Sequence, residues 1–140
     1  ERRKGVPMIH LCSFAFKLGQ DGSLGNHQPY KGAVIKVIDC RKLPNPHNST
    51  IKHLDGRDKA IQEFVFHQPH KGVSAQDLID DTVDWAIEAY KANPNADLVL
   101  AFGCVGGRHR SVAMAEQHAA QIGGWPHKID HFGLRALGLE

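Results

Sequence analysis

Residues 103–111 read GCVGGRHRS, and this segment constrains the chain more than any other. Before it stands the apolar run 98–102 (LVLAF), the longest in the chain. After it, residues 111–122 place Val112, Ala115, Ala119 and Ile122 at helical spacing. The short run reads as a buried strand and the 3.6-residue recurrence as a helix. A strand passing through a glycine turn directly into a helix is half of a parallel crossover unit, which points to an α/β fold. The turn also has an electrostatic consequence. The first N–H groups of a helix lack internal partners and carry partial positive charge. Gly106 and Gly107 let the backbone curl so that several N–H groups converge on one point, a nest for an anion.

The rest of the pattern agrees. Residues 8–16 (MIHLCSFAF) and 33–39 (AVIKVID) read as strands, the second buried on both faces. Between them, residues 19–32 are rich in Gly, Asn and Pro and read as a long loop. RKLPNPHNST follows, where two prolines oppose regular structure. Residues 58–67 form a short helix with Ile61, Phe64 and Val65 inward. Residues 74–93 form the longest helix, opened by a Ser74/Asp77 capping box and ended by Asn93-Pro94, with Ile79, Val83, Ala86, Ile87 and Tyr90 as its core stripe. Asp77, Asp81, Asp84 and Glu88 make a solvated stripe beside it. Gly123-Gly124 stops the later helix, and residues 125–131 are a last short strand. The expected order is β, β, α, α, β, α, β, in one open, largely parallel sheet with flanking helices. At 140 residues the whole chain, 1–140, is expected to be a single domain.

Composition narrows the function classes. A net charge of +2 is too mild to imply nucleic acid, and Arg2, Arg3 and Lys4 read as a solvated terminus. No apolar run approaches the roughly 18 residues of a membrane span, and the start, ERRKGVP, has no apolar segment of a signal peptide. Three cysteines without a CxxC pair suggest neither a disulfide framework nor a zinc ribbon, so a reducing cytoplasm fits best. Cys12 and Cys40 sit in apolar runs as small buried hydrophobes. The pairs His67/His70 and His127/His131 lack matching ligand pairs, so neither metal nor cofactor is expected.

Chemistry concentrates in two segments. In the first, the backbone from Val105 to Arg110 supplies N–H donors, Arg110 a planar fork suited to phosphate, and Arg108 and His109 further charge. Cys104 and Arg110 also form a C-x5-R pattern followed by Ser111, similar to the phosphate loop of cysteine-dependent phosphatases. Such a thiolate needs an acid for the leaving group, and no spacing singles out Asp39 or Asp130 for that role. The second segment is DCRKLPNPH, residues 39–47, at the carboxyl end of a strand, where ligands bind in open α/β sheets. If the two strands are parallel neighbours, Arg41, His47 and the 103–111 loop share one crevice. Asp39 then orients Arg41 or takes a sugar hydroxyl; the alternative is an Asp39–Arg41 surface pair beside a rigid turn. Arg57, after LDG, helps similarly or is solvated.

The motifs SFAFKLG, VIDCRKLPNPH, LDGRD and GCVGGRHRSVAMAEQHA, in this order, resemble the C-terminal domain of the RapZ family of RNase adaptors, also described as YvcJ-like nucleotide-binding proteins. The resemblance runs from about residue 9 to residue 122. It implies a fold like a phosphofructokinase subdomain and a non-catalytic sensor of an amino-sugar phosphate, glucosamine 6-phosphate. Positions matching the family are Asp39, Arg41, Asn45 and His47 in one motif, and Gly103, Cys104, Gly106, Gly107, His109, Arg110 and Ser111 in the other. Val105 and Arg108 stand where relatives carry threonine and lysine. The chain contains no GxxxxGK[ST] and ends HFGLRALGLE, without the basic tail that supports RNA binding in some relatives. The expected partner is therefore a phosphorylated small molecule. A cysteine phosphatase and an RNA-binding adaptor are the alternatives, and homo-oligomerisation is left open.

Overall fold

The computed structural model describes residues 7–67 and 71–140, so Arg2, Arg3, Lys4 and His70 lie outside the described residues. Four strands, β1 (Ile9–Ala15), β2 (Val34–Asp39), β3 (Leu98–Cys104) and β4 (His127–His131), form one open sheet in the order β2-β3-β1-β4. All three pairings are parallel. The helices are α1 (Lys59–Phe66), α2 (Ala75–Ala92), α3 (Arg110–Gln121) and α4 (Phe132–Ala136). The expected element order holds, with α4 added after the last strand. No helix among the described residues is long and apolar enough to cross a membrane.

The inner strands behave as two-sided burial requires. Every residue of β1 and β3 is buried. One side packs Leu11, Leu100, Phe102, Cys104, Ile61, Ile79 and Met114 together; the other gathers Cys12, Phe14, Tyr30 and Val99. Each large side chain so enclosed contributes roughly 1.5–3 kcal/mol. The expected two-sided burial of β2 is corrected. It is an edge strand, paired with β3 alone, and Lys36, Val37 and Asp39 are exposed. Its branched residues favour an extended backbone, but an edge position leaves one flank uncovered.

Helix α2 departs from expectation in its rotation. Ser74 caps it by accepting from the Asp77 N–H (3.4 Å). The buried face, however, is Ala75, Ile79, Thr82 and Ala89, while Val83 and Ile87 are 40% and 48% exposed. The helix carries two apolar stripes about 100° apart, and the sheet takes the one that includes Trp85 and Leu78. Helix α3 is enclosed more fully than its stripe implied, with Arg110 to Ala115 all buried. The 19–32 loop is built of 3-10 turns that pin Leu24 and Tyr30 into the core. Cys12 and Cys40 are buried free thiols, and burial pushes Cys12 up to about 12.

Candidate functional site

Strands β2, β3 and β1 run parallel and in register, so Asp39, Gly103 and Phe14 form one row across the sheet, at or beside the carboxyl ends of the three strands. The 103–111 turn rises from the middle of that row. Gly103 is demanded by crowding: a Cβ there would sit 2.4 Å from Phe14 Cζ and 2.6 Å from Phe16 Cε2. Those two rings meet edge to face, 4.9 Å apart. The outer face of Phe16 carries the Arg41 guanidinium, 4.0 Å from the ring centroid. Gly107 is demanded by conformation, with φ at +68°, where side chains are strained.

The turn is braced by its own charged side chains. Arg108 donates from Nε to the Leu54 carbonyl (3.1 Å) and from Nη2 to the His53 carbonyl. His109 Nε2 lies 2.8 Å from the Lys52 carbonyl and 3.0 Å from that of Leu54, and two acceptors there assign the proton to Nε2. Burial holds the His109 imidazole below its ordinary range, so it is the neutral form that braces. Arg110 is buried and donates from Nη1 to the Arg41 carbonyl. Three consecutive side chains thus tie the turn to segments 41 and 52–54. The Cys104 thiol, 2% exposed, donates to Ser111 Oγ (3.1 Å) and accepts from the Ser111 N–H (3.4 Å).

A cavity of about 650 Å³ opens over the turn. Cys104, Val105, Gly106, Arg108, His109 and Arg110 line it, together with Asn45 and His47 from the proline-rich segment. The strand order therefore brings two of the four DCRKLPNPH positions onto the glycine turn. Lys17, Lys52, His53 and Leu137 complete the lining. Sequence patterns had not singled these out, because each arrives through a long-range contact. Lys17, for instance, is held beside the loop by its own N–H on the Val105 carbonyl (3.0 Å).

The remaining predicted residues lie around the cavity rather than among its lining. Asp39 and Arg41 form a bidentate pair, Nε to Oδ1 at 3.0 Å and Nη2 to Oδ2 at 2.7 Å, and that pairing holds the Asp39 carboxyl below its usual range. Asp55 and Arg57 repeat the arrangement at 3.0 and 2.8 Å, and Arg57 also donates to the Leu139 carbonyl (3.0 Å). Gly107 is buried against Gly133, and Ser111 is buried behind Cys104. No group of three or more His, Cys, Asp or Glu among the described residues is placed to hold a metal. His127 instead contacts the Trp125 carbonyl, and His131 bridges Ser13 and Glu116.

The model of one protein family, described as the RapZ C-terminal domain, matches residues 7–133. This chain belongs to the RapZ C-terminal domain family. A nucleotide-binding protein of Acidothermus cellulolyticus is 41% identical over 90 residues, covering 61% of this chain and 28% of the relative. One from Janthinobacterium sp. is 38% identical over 120 residues, covering 84% and 37%. One from Synechococcus sp. is 32% identical over 142 residues, covering 97% and 38%. The chain thus spans well under half the length of the relatives it matches.

Proposed function

We propose that this RapZ C-terminal domain is the ligand-reading part of an adaptor or regulatory protein, a non-catalytic sensor that binds a phosphorylated metabolite in the crevice over residues 103–111. The observation that carries this reading is the meeting of the α3 N-terminus with Asn45 and His47 in one cavity. Backbone N–H groups of residues 105–110 take the phosphate, and Arg110 keeps donors free besides the one given to Arg41. Asn45 and His47 lie where the rest of the ligand would stand. The family resemblance makes glucosamine 6-phosphate the first compound to titrate.

The sensor reading is favoured over a phosphatase by the placement of Cys104. Its thiol is buried and engaged with Ser111, and among the described residues no carboxylate lines the cavity to protonate a leaving group. Amide resonances of residues 105–110 should shift on titration with inorganic phosphate. Calorimetry should give a weaker phosphate constant for Arg110→Lys. A phosphate titration that moves no amide in that segment sinks the proposal.

A further inference from the structure

Cys40 and Cys104 stand side by side at the carboxyl ends of two neighbouring strands. The pairing of β2 with β3 sets Val34 opposite Leu98 and Asp39 opposite Gly103. In that pairing the Val34 N–H donates to the Asp97 carbonyl (2.9 Å), one residue before its partner. The Cys40 N–H donates in the same way to the Gly103 carbonyl (2.7 Å). The ladder thus runs one residue past β2 and sets Cys40 opposite Cys104. Alternation puts both side chains on the face of Ile38 and Phe102, in one core cluster. Cys12 packs in the cluster on the other face. Neighbouring strands lie about 4.8 Å apart, inside the roughly 4.4–6.8 Å Cα spacing of disulfides. Both thiols are free.

The two thiols differ in access. Cys104 lines the cavity over the turn, whereas Cys40 is fully buried. We propose that Cys40 and Cys104 form an oxidative modification site, in which a peroxide entering the cavity joins them in a disulfide that loosens the phosphate seat. The Cys104 sulfur attacks one peroxide oxygen and the O–O bond breaks. Cys104 becomes a sulfenic acid, and the departing oxygen takes the thiol proton and leaves as water. The Cys40 sulfur then attacks the Cys104 sulfur. The S–S bond forms, the S–O bond breaks, and the departing hydroxide takes the Cys40 proton as a second water. Two thiols lose two electrons, and one peroxide becomes two waters. Burial, reinforced by nearby Cys104, pushes the Cys40 thiol well up, so its proton stays in place until the hydroxide removes it. Oxidation consumes the hydrogen that Cys104 donates to Ser111 Oγ (3.1 Å). It also pins Cys40, the residue before Arg41, whose carbonyl holds Arg110. The effect on the ligand rests on the proposed phosphate seat; the disulfide does not.

Treatment of the folded chain with hydrogen peroxide, then blocking of free thiols and peptide mapping, tests the pair. The expected product is a linked Cys40–Cys104 peptide that dithiothreitol abolishes. It should still form in Cys12→Ala and be absent from Cys40→Ala. Its rate should not depend on protein concentration, because both sulfurs belong to one chain. In calorimetry the peroxide-treated chain should bind inorganic phosphate about fivefold more weakly than the reduced chain, as for the loss of one hydrogen bond at the seat. Dithiothreitol should restore the affinity. No oxidation of Cys104, or oxidation that stops at a sulfenic or sulfinic acid with Cys40 still free, overturns the site. Linkage through Cys12 or between chains overturns it equally. A disulfide that leaves phosphate affinity unchanged overturns its effect on the seat. A reduced chain that binds no phosphate overturns the seat itself, while the mapped peptide still decides the disulfide.

Discussion

Gly107 and Gly133 meet backbone to backbone: a Cβ built on Gly133 would lie 2.5 Å from the Gly107 carbonyl oxygen, and one on Gly107 would lie 3.0 Å from Gly133 Cα. The contact seats α4 against the 103–111 turn. His131, just before α4, is fixed from both sides by Ser13 Oγ on Nδ1 (2.6 Å) and Glu116 Oε2 on Nε2 (2.7 Å). The loop is therefore supported by a helix that sequence periodicity did not announce.

Substitutions at the three nearby glycines should separate shape from chemistry. Gly107→Ala combines a left-handed backbone with a 2.9 Å approach to Ala15 Cβ, and Gly133→Ala intrudes on a carbonyl. Each should cost about 1–3 kcal/mol in urea denaturation and weaken phosphate binding. Gly106→Ala meets nothing within 4 Å and should change stability by less than about 0.5 kcal/mol. A Gly106→Ala loss as large as the other two would mean that the contacts described do not govern the turn.

His47 should discriminate between ligands. It lines the cavity without belonging to the loop. His47→Ala should weaken a sugar phosphate by about 5- to 10-fold, equivalent to roughly 1–1.4 kcal/mol for one hydrogen bond, and leave inorganic phosphate nearly unchanged. Arg110→Ala should weaken both. Asp39→Ala should affect neither by much, because Arg41 occupies both of its oxygens. Calorimetry on the three variants with two ligands reads all six outcomes.

Cys104 should be dispensable for phosphate-ester turnover. With its thiol donated to Ser111, the chain is expected to give no aryl phosphate hydrolysis above background, and Cys104→Ser should behave identically. Robust turnover that disappears in the mutant would replace the sensor with an enzyme.

Acid stability should depend on His118. Its ring is 2% exposed, lies 5.8 Å from the Phe102 ring, and among the described residues has no hydrogen-bond partner on either nitrogen. Burial holds its folded-state basicity below the ordinary value of 6.5. The unfolded chain therefore binds this proton more readily. The stability tied to neutral His118 is complete above about pH 6.5 and is lost as pH falls toward the depressed folded-state value. His109, lowered by burial in the same direction, adds to the trend. His118→Leu should flatten the acid limb of a pH–stability curve and add about 1–3 kcal/mol at neutral pH by removing an unpartnered polar group. An unchanged acid limb in His118→Leu would assign the loss to other groups.

What the sequence disclosed, and what it withheld, divides along the range of the interactions. The passage from β3 through the glycine turn into α3 was legible because strand, turn and helix signals lie within about 25 consecutive residues. The expected crevice named Arg41 and His47 beside the turn; with β2 and β3 parallel neighbours His47 lines the cavity, but Arg41 stands outside its lining, paired with Asp39. Lys17, Lys52 and Leu137 were invisible because strand order and distant turns place them. The rotation of α2 could not be read because both of its stripes are apolar, and only the sheet chooses between them. The exposure of Val37 followed from β2 standing at an edge, a property of topology rather than of local composition. Helix α4, with five residues, is too short to show a period.

The position of β1 sets a constraint on how the chain comes into being. It is the first strand in sequence but an inner one in the sheet, and Ile9 pairs with Leu98 and His127. As the chain is synthesised, β1 has no lateral partner until β3 has emerged. At the usual pace of about 5–20 residues per second, that is a wait of roughly 5–20 s. For that interval seven residues destined for complete burial, IHLCSFA, remain open to other chains. A nascent product halted before residue 98 lacks the strand that pairs with β1 along all seven of its residues.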